Sequence, residues 1–147
     1  MSLDNLVGTS LEKIEPDSAA IKRLINAANR NIQGAHVAAF GNEIQFDAAY
    51  KAILQLANAA LQANGYRTLT SRPGHHMTMI QALPKTIGLD ADTVIILDTL
   101  RKQRNATDYS GDIVPESALK ECISCAENLY HDVTHWIKKH KPELLKE

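Results

Sequence analysis

Residues 115–142 read PESALKECISCAENLYHDVTHWIKKHKP. Leu119, Cys122, Ala126, Leu129, Val133 and Trp136 fall at alternating steps of three and four. That spacing places all six on one face of an α-helix. Pro115-Glu116 is a suitable start, because proline lacks only an N–H that the first turn leaves unpaired anyway. Lys141-Pro142 ends the run. A helix with one apolar stripe must bury that stripe against partners, which the rest of the chain has to supply.

It contains four further blocks. Asp17, after Pro16, is placed to cap a helix carrying Ala20, Ile21, Leu24, Ile25, Ala28 and Ile32, with Gly34 and Gly41 loosening its end. A second helix begins near Asn42 and carries Phe46, Ala49, Tyr50, Ile53, Leu54, Ala57, Ala60 and Leu61, and Asn64-Gly65 closes it. A third, after Pro73-Gly74, carries Met77, Ile80 and Leu83; Pro84 bends or ends it and Gly88 terminates it. Asp90 is placed to cap a fourth, running through Val94, Leu97, Leu100, Arg101 and Arg104. Thr93-Val94-Ile95-Ile96 is β-branched and also fits a strand, but Lys102-Gln103-Arg104 directly after it favours helix. Only His36–Phe40 offers a strand for it to pair with. The expectation is an all-α fold, an antiparallel four- to five-helix up-and-down bundle over residues 17–141. Residues 1–16 read as a lead-in with one short turn, and residues 142–147 as a tail.

The chain has 147 residues, 44% of them hydrophobic and 22% charged, which suits a single domain with an ordinary core and excludes a wholly disordered chain. Sixteen Lys and Arg against seventeen Asp and Glu give a formal charge of −1. This excludes a generically polycationic nucleic-acid binder, though not a local basic patch. Two cysteines, Cys122 and Cys125, make no disulfide framework; Cys122 falls on the core stripe and behaves there as a small hydrophobe. No apolar stretch is long enough to span a bilayer. The start, Met1 to Asn5, lacks a basic stretch followed by an apolar run, so no secretory leader is expected and cytoplasm is the default.

The polar stretch Arg101-Lys102-Gln103-Arg104-Asn105-Ala106-Thr107-Asp108-Tyr109 is the densest in chemistry. Leu97, Arg101, Arg104 and Asp108 share a helix face. Two adjacent guanidiniums repel unless an anion or a carboxylate compensates them, and their forked donors suit phosphate. The alternative is a solvated face in which Arg104 simply pairs with Asp108. His75 and His76 open the third block. Neighbours on a helix point about 100° apart, so they make no joint metal site; one can face a cleft as a proton acceptor or phosphate contact. His131 and His135 have a two-ligand zinc spacing, but the pattern lacks the Glu next to the first His and no third ligand is placed by the sequence. No phosphate-loop, dinucleotide or nucleophile-elbow motif occurs. No metal and no cofactor are expected.

Three segments together carry a resemblance: Ala48–Leu54 continuing to Ala59–Arg67, Gly74-His75-His76 with Ile80 and Leu83, and Leu100–Tyr109. Across roughly Asp17 to His140 the chain resembles the HEPN domains (higher eukaryotes and prokaryotes nucleotide-binding). The resemblance implies a helical bundle, commonly homodimeric, that binds nucleotides or RNA, in some members beside a nucleotidyltransferase or an antitoxin. It also implies an RNA-cutting motif of Arg, a polar residue and, a few positions on, His. Arg104-Asn105 match the opening, but Asp108-Tyr109 stand where the His belongs, and no His occurs between Met77 and Tyr130. A tyrosine with its ordinary pKa near 10 is a poor base at neutral pH. The expected function is therefore binding of a nucleotide or RNA phosphate through Arg101, Arg104, His75 and His76, without efficient catalysis. The first alternative is an endoribonuclease toxin of a toxin–antitoxin pair, with Arg104, Asn105, Asp108 and Tyr109 in its site. The second is a ligand-free dimerisation module.

Overall fold

The computed structural model describes residues 2–69 and 74–146. The protein is an all-α bundle, with four long helices, two short ones and one small two-stranded sheet among the described residues. The long helices are α1 (Ser18–Ala35), α2 (Asn42–Ala63), α5 (Ala91–Ser110) and α6 (Glu116–His140). The short ones are α3 (His75–Gln81) and α4 (Leu83–Thr86). The strands are β1 (Leu11–Lys13) and β2 (Tyr66–Thr68), paired antiparallel.

The start and stop signals act as the side chains require. Asp17 accepts hydrogen bonds from the Ala19 and Ala20 N–H groups, and Asp90 from that of Thr93. The Asp90 cap settles the β-branched run Thr93–Ile96 as helix. Gly65 and Gly111 take positive φ just beyond α2 and α5, where a side chain would be strained. Pro84 falls in the first turn of α4, so the third block divides into α3 and α4 at that point. Pro73, expected to precede α3, lies outside the described residues. Replacing Asp17 by Ala is expected to cost about 1 kcal/mol, read as a lower midpoint of urea unfolding.

α2 is the central helix. Phe46, Ala49, Tyr50, Ala52, Ile53, Leu56, Ala57, Ala59, Ala60 and Leu61 are all buried. It lies against α1 on one side and α6 on another, with α3 and α5 closing a third. The hydrogen bonds Asn31 Nδ2 to Gln55 Oε1 (2.8 Å) and Gln45 Nε2 to the Ala35 carbonyl (2.8 Å) fix α1 and α2 as an antiparallel hairpin. On α6, Leu119, Cys122, Ala126, Leu129 and Val133 are buried as the pattern requires. The final position differs: Ile137 is buried, while Trp136 is half-buried and stacks on His140. A strict alternation of three and four averages 3.5 residues, so it drifts against the 3.6-residue turn and the core position advances by one.

Both ends of the chain are more ordered than a lead-in and a tail. Leu3 and Leu11 are buried, and β1 pairs with β2. Leu144 is buried too, and its carbonyl accepts a 2.7 Å hydrogen bond from Ser18 Oγ. Three-residue strands are too short to show alternation, which hides this sheet in the sequence. The segment 36–40 is no strand: Ala38–Phe40 is a single 3₁₀ turn.

Candidate functional site

α2, α3 and α5 meet along one flank of the bundle, and the candidate residues gather at their junction. Leu97 and Leu100 are buried and seat α5. The same face carries Arg101 and Arg104, whose side chains stay 17% and 30% exposed. Gly74, at φ 83°, turns the chain into α3 in a conformation that favours glycine, so His75 and His76 occupy its first turn. From α2 come Asp47 and Tyr50, one helical turn apart.

The rings and guanidiniums are close. The Arg104 guanidinium carbon lies 5.6 Å from the centroid of the Tyr50 ring, a cation–π distance. The His76 ring meets Tyr50 edge-on at 6.4 Å and His75 at 4.6 Å. Arg101 Nε donates to Asp98 Oδ1 at 2.8 Å. Arg104 Nε lies 3.4 Å from Asp47 Oδ1 and 3.3 Å from Asp108 Oδ2. All three carboxylates engage Nε. The terminal Nη groups of both arginines have no hydrogen-bond partner among the described residues. Carboxylates on Nε hold each fork in place and leave its outer donors available to a second anion.

Charge and burial tune the neighbours. The hydrogen bond from Arg101 holds Asp98 below the usual carboxylate range. Burial, opposed by Arg104 and Arg101, pushes the Tyr50 hydroxyl up to about 12, so it stays protonated. Burial, then His75, Arg104 and Arg101, lower the pKa of His76. A histidine that binds its proton less readily folded than unfolded adds stability at pH values above about 6.5, and that stability is lost as pH falls through its lowered folded pKa. The expected result is a His76 that titrates below the ordinary value in an NMR titration, and moves upward in Arg104→Ala.

The structure brings together Arg101, Arg104, His75, His76 and Asp108, of the residues singled out in the sequence. Tyr109 is a correction: it is 93% exposed and stands outside the cluster. It sits one position beyond Asp108, about 100° around the helix. Asn105 is half-buried and makes no side-chain hydrogen bond among the described residues. Sequence reading missed Tyr50, Asp47 and Asp98 as site residues. Tyr50 reads as core because its neighbours are apolar; the one signal is Asp47, a charge three positions before it on a largely buried helix.

The remaining candidates lie elsewhere. His131 and His135 line a hollow of about 780 Å³ beside the α4–α5 connection. Among the described residues no group of three or more His, Cys, Asp or Glu is placed to hold a metal ion. Cys122 is buried and Cys125 half-buried. Burial raises both thiols, Cys125 to about 11, so neither is a ready thiolate. No family model, curated protein or solved structure matches the chain. No helix among the described residues is long and apolar enough to cross a membrane.

Proposed function

We propose that the protein is a HEPN-like bundle that binds the phosphate of a nucleotide or of RNA at the α2–α3–α5 junction, without efficient catalysis. The observation that carries this reading is the pair of half-buried guanidiniums whose Nε atoms are held by Asp98, Asp47 and Asp108 while their Nη donors have no partner among the described residues. A neutral His76 and a protonated Tyr50 beside them add donors without adding competing negative charge. The protein works in the cytoplasm as a homodimer, with a nucleotidyltransferase or antitoxin as the partner class. Light scattering tests the dimer.

Calorimetric titration with 5′-AMP and with a short 5′-phosphorylated oligouridylate tests the binding. The expected result is saturable binding of at least one probe that weakens as salt is raised, because phosphate contacts release counterions. Absence of heat with both probes, in a folded protein, contradicts the reading.

One observation favours a second reading, endoribonuclease action. His76 stands beside Arg101 and Arg104 from a neighbouring helix, offering a proton acceptor at neutral pH that α5 itself lacks. It predicts toxicity on expression in bacteria, abolished by Arg104→Ala. Harmless expression with intact RNA rules against it.

A further inference from the structure

Two buried polar atoms have no hydrogen-bond partner among the described residues: the Tyr50 hydroxyl oxygen and His75 Nδ1. Both belong to the arginine–histidine cluster. Buried polar atoms are paired in the great majority of cases, because an orphan forfeits its hydration and gains nothing in return. Two orphans in one cluster, beside two guanidiniums whose Nη groups have no partner among the described residues, leave donors that the protein itself does not use.

Tyr50 is 1% exposed and its hydroxyl remains protonated, so its O–H is a fixed donor rather than a base. His75 Nδ1 is a second donor in the tautomer that protonates it. With Arg101 and Arg104, the donors come from three helices: Tyr50 from α2, His75 from α3 and the arginines from α5. A planar carboxylate can be satisfied by one guanidinium fork. A tetrahedral phosphate presents oxygens in several directions and suits donors on separate elements.

We propose that Tyr50 is a ligand-binding residue of this site, its hydroxyl acting with His75 Nδ1 as the inner donor pair for a phosphate group held at the outside by Arg101 and Arg104. This rests on the phosphate-binding reading above and names the residues that make it selective for phosphate. Phosphate entry to the hydroxyl then takes a rotamer change of Arg104, over the Tyr50 ring, or of His76 at its edge, both only partly buried.

The test is Tyr50→Phe, which removes one oxygen and keeps the ring under Arg104. Wild type and variant are titrated with 5′-AMP and with the 5′-phosphorylated oligouridylate, and both are unfolded in urea without ligand. The expected result is an affinity about tenfold lower for whichever probe wild type binds, the value of one hydrogen bond to a charged group. The ligand-free unfolding midpoint stays level or rises, because an orphan has been deleted. Equal affinities overturn the proposal. So does a lower midpoint or a variant that fails to fold, whatever the affinity, because the hydroxyl then has a partner within the protein. Wild type that binds neither probe removes the phosphate-binding reading itself, a result distinct from an indifferent variant of a wild type that binds.

Discussion

Arg104→Ala is expected to lower affinity for a phosphate-bearing ligand by about ten- to a hundredfold, the range of one or two lost charge-assisted hydrogen bonds. Its stability should change by no more than about 1 kcal/mol, because the contacts to Asp47 and Asp108 are long and partly solvated. Arg104→Lys separates charge from shape. Lysine keeps the charge but loses the planar fork and its stacking on Tyr50, so affinity falls to a value between wild type and alanine. Arg23, exposed on α1 and outside the junction, is the control: Arg23→Ala leaves affinity unchanged apart from a small general charge effect. Equal affinities for wild type and Arg104→Ala would detach the binding, if any, from this cluster.

Ile53→Ala is expected to be the most damaging conservative truncation in the core, at about 2–5 kcal/mol. Ile53 is fully buried at the middle of α2, the helix against which α1, α6, α3 and α5 all pack. Removing its outer carbons leaves a cavity that small neighbours such as Ala49, Ala57 and Ala60 cannot reach across to fill. Ile53→Val is the graded control, at about 0.5–1.5 kcal/mol. Both are read from urea unfolding midpoints at an unchanged slope; a changed slope signals an altered unfolded state instead. An alanine variant as stable as wild type would show that α2 is not the centre of the bundle.

The long helices are legible because each carries its own local evidence. Asp17, Asp90 and Pro115-Glu116 set starts through groups within a turn, and the apolar stripes of α1 and α6 follow directly from helix geometry. The β1–β2 pair is not legible, since Leu11–Lys13 and Tyr66–Thr68 meet across fifty-odd residues and each is too short to show a period. The site divides in the same way. Arg101, Arg104 and Asp108 are readable because their spacing on one helix fixes a shared face. Tyr50 and Asp47 join them only through tertiary packing of α2 against α5, which sequence spacing does not encode. Tyr109 shows the reverse: it directly follows Asp108 along the chain, yet helix geometry turns it outward to solvent.

Central to all of this is the proposal that the paired guanidiniums of Arg101 and Arg104 take a phosphate. NMR of the arginine Nε–Hε groups measures that most directly, as 5′-AMP or the 5′-phosphorylated oligouridylate is added to the folded protein. The account predicts that the Arg101 and Arg104 signals shift together and saturate, with the ring signals of Tyr50 and His76 moving at the same ligand concentration. Shifts confined to other arginines, such as Arg23 and Arg30 on α1, or no saturable shift at all, would contradict it.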